Sequence, residues 1–329
     1  MKYIVSTVFA AGAACLVALP ASAQDKVSLR FGTVGVGSSW YNYGAGMADM
    51  VKAKLPAGSS IDVLPRAGGI GNLKLIQSGE MEVGISFSVT SGEACSGIGP
   101  FKEKHTNVRA VLGGLDAYFL AAFATKKSGA TSWEDIASAK NKFRLLTTAP
   151  GGSGEQAVRD VLTLLGSSKE DIAKKGGRVA PASRAGAAET IRDGQADGWA
   201  HIVTRGHPGA TQIATINDVI VLPLPEKAIK GMAAKGWSVT TMPANLFRGQ
   251  TQPIQTVKMA SSIIAAASVP ESVVYTLTKT IVENADKLPK IHAALADFDP
   301  KQAADKGLNG NCPMHPGAAK YYKEVGLLK

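Results

Sequence analysis

The sequence predicts an α/β chain folded as two lobes with a ligand cleft between them. Three observations carry this reading. Short apolar runs alternate with stretches of helical periodicity, the alternation restarts part-way along the chain, and two apolar stretches, 109–124 and 257–267, are long enough to run between two units. A chain of 329 residues is long enough for two medium domains.

The elements follow in order. Residues 27–33 read as a strand, and 40–55 as a helix with Met47, Met50, Val51 and Leu55 on one side. Residues 61–64 are a second strand, 72–78 a short helix and 83–87 a third strand. This β-α-β-α-β order implies a parallel sheet. After the first long apolar stretch, 143–147 is a strand leading into Gly151-Gly152-Ser153-Gly154. The next helix carries Val158, Val161, Leu162 and Leu165 at i, i+3, i+4 and i+7, and Gly166 stops it. A strand near 178–180, a helix near 185–192 and strands near 197–203 and 219–222 complete the second unit. Pro270 then opens a helix with Val273, Val274, Leu277 and Ile281 on one face, with Ser268 as its expected cap. The lobes divide as 24–118, 119–261 with the crossings, and 262–329 returning to the first.

Hydrophobic residues make up 45% of the chain and charged ones 19%, with 36 Gly and 3 Cys, which excludes disorder, a collagen repeat and a disulfide-dense mini-scaffold. The formal net charge is +10. Its densest pairs, Lys126-Lys127 and Lys174-Lys175, have no aromatic interleaving and no basic helix around them, so a nucleic-acid partner is not expected.

Residues 1–23 begin Met1-Lys2, continue through an apolar run and end in Pro20-Ala21-Ser22-Ala23. A basic start, a short apolar centre and small residues at Ala21 and Ala23 describe a secretory signal cleaved after Ala23. A membrane anchor needs a longer apolar span, and Cys15 lacks the Leu three positions earlier that a lipoprotein would carry. Cleavage removes Lys2 and Cys15, leaving Cys95 and Cys312. In an oxidising compartment these are either a disulfide or two separate thiols.

The glycine-rich and hydroxyl-rich joins carry the chemistry. Gly32-Thr33-Val34-Gly35-Val36-Gly37-Ser38-Ser39-Trp40-Tyr41 lies between the first strand and the first helix. Glycines admit close backbone approach, while Ser hydroxyls and first-turn N–H groups bind anions. A dinucleotide fingerprint fails because its third glycine position holds Trp40. Gly68-Gly69-Ile70-Gly71-Asn72 occupies the same topological position after the second strand, and Ser86, Ser88 and Thr90 follow the third. Gly152, Ser153 and Gly154 open a helix in the second unit, and Trp199 and His201 lie near the end of a strand. Arg66, Arg144, Arg178, Arg184 and Arg205 are candidates for pairing a ligand carboxylate, with Arg66 and Arg184 nearest the cleft loops. Cys312-x-x-His315 lacks the four ligands of structural zinc, and no nucleophile elbow occurs. No metal or cofactor is expected.

These loops, with Asn72-Leu73-Lys74-Leu75-Ile76-Gln77-Ser78-Gly79-Glu80, Asp193-Gly194-Gln195-Ala196-Asp197 and the stretch from His315-Pro316-Gly317-Ala318 to Gly326, resemble the TAXI family (TRAP-associated extracytoplasmic immunogenic proteins). The resemblance implies a type II periplasmic-binding-protein-like fold and a receptor for a small carboxylate such as glutamate or 2-oxoglutarate. It also implies handover to the membrane subunits of a tripartite ATP-independent (TRAP) transporter. It assigns Tyr41, Asn72 and 86–90 to one wall of the cleft, and 152–154 and Trp199 to the other. Ser86-Phe87-Ser88 stands where the family often has Gln-Ser-Asp, and the Gly68-Gly69-Ile70-Gly71 loop is shorter than usual, both at ligand positions. The ligand-binding set expected here is Ser38, Ser39, Trp40, Tyr41, Gly69, Asn72, Ser86, Ser88, Thr90, Gly152, Ser153, Gly154, Trp199 and His201. The rival reading is a secreted enzyme on a similar fold, with His201 or a cleft carboxylate as acid or base.

Overall fold

A computed structural model describes residues 26–66 and 68–329. The expected signal at 1–23, with Cys15, lies outside the described residues. Among the described residues, no helix is long and apolar enough to cross a membrane.

The chain begins with β1 (Ser28–Gly32), α1 (Ser39–Lys52), β2 (Ser60–Leu64), α2 (Gly69–Gln77), β3 (Val83–Phe87), α3 (Ser88–Ser96) and β4 (Val108–Leu112). A second unit follows: β5 (Tyr118–Thr125), α4 (Trp133–Ala137), β6 (Arg144–Thr147), α5 (Ser153–Leu164), α6 (Lys169–Lys174), β7 (Arg178–Pro181), α7 (Arg184–Arg192) and β8 (Gly198–Val203). It continues through α8 (Pro208–Ile216), β9 (Val219–Leu222), α9 (Glu226–Ala234), β10 (Ser238–Met242) and β11 (Ile254–Met259). The chain then returns as β12 (Ser261–Ala266), α10 (Glu271–Glu283), α11 (Leu288–Ile291) and α12 (Pro316–Glu324).

Two sheets result. The first has the order β2-β1-β3-β12-β4, and the second runs β10-β11-β5-β8-β6-β7 with β9 also paired to β5. β1 is parallel to both β2 and β3, as the strand–helix alternation implies. The sheet as a whole is mixed, because β12 enters antiparallel between β3 and β4. The second sheet is mixed as well: β6 is parallel to β7 and β8, while β5 is antiparallel to β8, β9 and β11.

The apolar stretch 109–124 is two strands of different sheets. It breaks after Leu112, where Gly114 takes φ +72, a conformation that glycine adopts without a Cβ clash. β5 reads as one apolar run because seven of its eight residues are buried, as befits a strand covered on both faces. The stretch 257–267 likewise divides into the end of β11 and β12, so the lobes connect at two short crossings, between Leu112 and Tyr118 and between Met259 and Ser261.

Helices whose apolar periodicity was legible bury that face. Met47 and Val51 of α1, Val158, Val161 and Leu162 of α5, and Val273, Val274, Leu277 and Ile281 of α10 are all buried. Pro270 is itself the N-cap of α10 and no side chain caps that helix, which corrects the expected role of Ser268. α3 is a helix without a periodic signal: its sequence, SVTSGEACS, is small and polar with no apolar stripe.

The His315-Pro316-Gly317-Ala318 run builds scaffold. His315 Nδ1 accepts the Gly317 N–H at 3.2 Å and so caps α12, and Pro316 supplies the first helical position. A Cβ at Gly317 would overlap the backbone of Glu271 in α10. Tyr322 of α12 donates to the Val111 carbonyl of β4 at 2.9 Å. Cys95, late in α3, and Cys312 form a disulfide across 217 residues, with Cα atoms 5.6 Å apart. The bond removes Cys312 as a metal ligand.

The two crossings are tied by Asp116, which is 4% exposed. Its Oδ1 accepts the Ser261 N–H at 3.0 Å and the Ser261 hydroxyl at 2.6 Å, and its Oδ2 accepts the Tyr43 hydroxyl at 2.8 Å. Burial pushes the Asp116 carboxyl up to about 6 despite these three donors. Burial and the nearby Asp116 also raise Tyr43, which therefore stays a donor.

Because the folded carboxyl titrates above its ordinary 3.8, the folded chain holds this proton more tightly than the unfolded one. The stability linked to it is full at low pH and is lost as pH rises through about 6. Urea unfolding of Asp116→Asn against the unaltered chain should show the difference moving in favour of Asn by roughly 2–3 kcal/mol between about pH 4 and pH 7; a constant difference refutes the tie's ionisation. Reducing the disulfide should lower stability by about 2–5 kcal/mol, read from thermal unfolding with and without reductant.

Candidate functional site

A cavity of about 410 Å³ lies between the lobes. The first lobe lines it with Ser38, Ser39 and Trp40 at the head of α1, Gly68 and Gly69 at the head of α2, and Arg66 and Phe87. The second lobe contributes Thr148 to Gly154 before and within α5, Ser183 ahead of α7, His201 of β8 and His207 ahead of α8. Tyr118 lines it where the first crossing ends.

Five helices thus point their positive ends at one cleft, since Ser38, Gly68, Gly152, Ser183 and His207 are the N-caps of α1, α2, α5, α7 and α8. Three of them satisfy an amide with their own side chain. Tyr41 N–H donates to Ser38 Oγ at 3.1 Å, Gly186 N–H to Ser183 Oγ at 3.0 Å, and Ala210 N–H to His207 Nδ1 at 3.2 Å. The two glycine caps, on α2 and α5, have no side chain to spend on their helices. Their first-turn N–H groups therefore suit an external acceptor. Gly68 takes φ +84 in making this turn, so a Cβ there would be strained as well as obstructive.

Polar side chains add to the backbone groups. Ser39 Oγ, Trp40 Nε1, Thr148 Oγ1 and Ser153 Oγ are buried and have no hydrogen-bond partner among the described residues. Such groups ordinarily find partners. Among the described residues lining the cleft none is Asp or Glu, and Arg66 is an exposed cation at its wall. The arrangement suits a small anion.

Apolar surfaces shape the cavity. Trp40 packs on Phe87 at 4.5 Å between ring centroids, and Phe87 on Tyr118 at 5.0 Å. On the other wall His201 lies 5.1 Å from Trp199 and 5.6 Å from His207. A Cβ at Gly154 would overlap the His201 ring, so glycine there admits the imidazole. The lobes meet beside the cavity: a methyl on Gly69 would lie 3.3 Å from Ser86 Oγ and 3.4 Å from Ser153 Oγ of the opposite lobe.

Of the residues singled out in the sequence, Ser38, Ser39, Trp40, Gly69, Gly152, Ser153, Gly154 and His201 are brought together on the cavity wall. The others stand behind or beside it. Tyr41 is half-buried away from the lining, with its N–H spent on Ser38. Asn72 is fully buried, and its Nδ2 donates to the carbonyls of Gly32, Thr33 and Ile85 at 3.0, 3.3 and 2.9 Å, clamping β1 to β3. Ser86 Oγ donates to the Gly69 carbonyl at 3.4 Å, and Trp199 is buried behind His201. Ser88 lines a separate cavity near Asp116, and Thr90 a narrow crevice between α3 and α5.

Arginines divide in the same way. Arg144 forms a two-pronged pair with Asp197 at 2.9 and 2.8 Å, Arg178 reaches the Gln195 carbonyl, and Arg205 lines the cavity near Asp116. Arg184 opens α7. Phe87, Tyr118, Thr148, Ser183 and His207 join the cavity wall without being among the residues expected there. His207-Pro208 carried a usable signal, a capping residue followed by proline at the first helical position.

Residues 31–326 match the model of the NMT1-like family. The chain belongs to that family. Three solved structures share its fold at low identity. MatC from Rhodopseudomonas palustris, solved with bound malate, is 14% identical with a TM-score of 0.56, over 92% of this chain and 99% of that one. The periplasmic binding protein BugD is 14% identical with a TM-score of 0.55, over 93% and 100%. A structure described as a periplasmic transporter is 14% identical with a TM-score of 0.52, over 91% and 93%. At these identities the likeness is one of fold: two α/β lobes around a cleft.

Replacing Asn72 by Leu leaves three carbonyls behind the cleft without their donor. Unfolding of the ligand-free chain should become easier by roughly 2–4 kcal/mol. A stability unchanged in urea titration would mean that Asn72 is no clamp.

Proposed function

We propose that this chain is an exported receptor of the TAXI type. It captures a small carboxylate-bearing solute, glutamate-like or 2-oxoglutarate-like, and hands it to the membrane subunits of a TRAP transporter. The observation that carries the reading is the convergence of five helix N-caps on one cleft whose described lining has no acidic side chain. A carboxylate takes up the amides that the glycine caps leave over, together with the hydroxyls of Ser39 and Ser153 and the indole N–H of Trp40. Trp40, Phe87 and Tyr118 give its carbon skeleton an apolar wall.

Residues 24–118 and 262–329 act as one lobe and 119–261 as the other. Ligand contacts both walls at once only when the lobes are close, so binding shifts the population towards the closed form that the permease distinguishes. The fold shared with malate-bound MatC supports this reading, as does a disulfide, which suits the periplasm and the signal read at 1–23.

Calorimetry against L-glutamate, 2-oxoglutarate, malate and their amides tests it. One equivalent of an acid should bind and be recovered unchanged, with the amides bound far more weakly. Turnover, or no binding by any acid, overturns the proposal. Gly154→Ala, which displaces His201, should weaken binding ten- to hundredfold, roughly 1.4–3 kcal/mol, in the same calorimetric titration.

A further inference from the structure

Two cavities lie between the lobes, on opposite sides of the crossings. The solute cleft is lined from the ends of β1, β3, β6 and β8. The second cavity, of about 650 Å³, is lined by β10, by Lys258 of β11 and by the segment 297–308. That segment is joined to the end of β4, where the Gly113 N–H donates to the Ala303 carbonyl at 2.9 Å. In each sheet the strands beside the second cavity, β4 in one and β10 in the other, are edge strands on the side away from the cleft. The first crossing separates the two spaces within three residues. Tyr118 lines the cleft, while Ala117 and Phe119 line the second cavity, as the alternation of a strand requires. A rotation about the crossings that widens one cavity therefore narrows the other.

The second cavity carries opposite charges on its two lobes. Arg205 and Lys258 belong to the second lobe, and Asp297, Asp299 and Asp305 to the first. Among the described residues none of these five forms an ion pair. The hydrogen bonds of the carboxylates stay within their own segment. Asp299 accepts the Lys301 N–H at 3.0 Å and Gln302 Nε2 at 2.9 Å, and Asp305 accepts the Leu308 N–H at 2.9 Å. Asp116, also on this wall, is spent on Tyr43 and Ser261. Lys301 and Lys306 of the segment do not line the cavity. On the cleft side the lobes already meet, at Gly69 and Ser153. The charges behind the crossings are thus held apart in the form in which the cleft is narrow.

We infer that the second cavity is an open-state latch: parting of the lobes brings Arg205 and Lys258 onto Asp297, Asp299 and Asp305, and this pairing holds the empty receptor open. A solute that bridges the cleft walls pulls the pairs apart. The inference rests on the receptor reading above and adds to it the element that sets the balance between open and closed forms. Apparent affinity is the intrinsic affinity reduced by the fraction already closed, so weakening the latch tightens binding without touching the cleft.

Two measurements test the latch. Spin labels at Lys74→Cys and Lys169→Cys, exposed positions on α2 and α6, report the lobe separation of the ligand-free chain by pulsed electron spin resonance. Calorimetry with 2-oxoglutarate and L-glutamate reports affinity. Arg205 is exposed and Lys258 half-buried, so Arg205→Gln with Lys258→Gln should fold normally. In about 20 mM NaCl this pair of changes should shift the label distances towards the separation in the present structure, and lower the Kd about two- to tenfold. In about 0.5 M NaCl the altered and unaltered chains should converge, because exposed charges are then screened. Asp297→Asn, from the opposite lobe, should act in the same direction, and together with the pair should add less than the separate effects predict. Label distances that do not change at low salt, or a variant that opens wider, overturn the latch and leave the receptor reading standing. A shift in distances with neither acid bound supports the latch and overturns the receptor reading.

Discussion

Asp116 sits where the chain leaves the first sheet, and two of its three hydrogen bonds go to Ser261, where the chain comes back. The third comes from Tyr43 of α1, whose head lines the cavity. Burying a carboxylate is costly unless its oxygens are satisfied, and here satisfying them requires both crossings and one cavity-lining helix to be in register. The geometry of the cleft depends on this contact. Tyr118, two residues along, joins the Trp40–Phe87 wall, so the tie and the apolar side of the site share a short segment.

The convergence of helix heads follows from topology. A helix that follows a strand starts at the strand's C-terminal end, so α1 and α2 in the first lobe and α5, α7 and α8 in the second begin at the same edges of their sheets. Placing those edges face to face gathers the positive ends around one cavity. The choice of cap then divides the labour. Side-chain caps on α1, α7 and α8 spend amides on the fold, whereas glycine caps on α2 and α5 leave amides over for a ligand.

The stretches most diagnostic in the sequence turn out to hold scaffold. Asn72 clamps strand ends, Asp197 pairs with Arg144, and the His315-Pro316-Gly317-Ala318 run caps α12 and lets it lie on α10. Each rests on a particular side-chain chemistry: the amide of Asn72 donates to carbonyls, Gly317 leaves room for a close helix contact, and the carboxylate of Asp197 receives the Arg144 fork. Ser86, Ser88 and Thr90, expected together on one wall of the cleft, separate instead into a brace behind α2, the start of α3 and an inter-lobe crevice.

By itself the sequence determined the strand–helix alternation, the two lobes, and the glycine and serine joins at the heads of α1, α2 and α5. These are local matters of periodicity, capping and turn chemistry, encoded within a dozen residues. Tertiary structure alone decided that β12 enters antiparallel between β3 and β4, that Cys95 meets Cys312, and that Phe87, Tyr118, Ser183 and His207 share a wall. Their neighbours lie far away in the chain and carry no periodic signal. The same reason hides the seat of His201 on the cavity wall, where Gly154 of another helix leaves room for its ring.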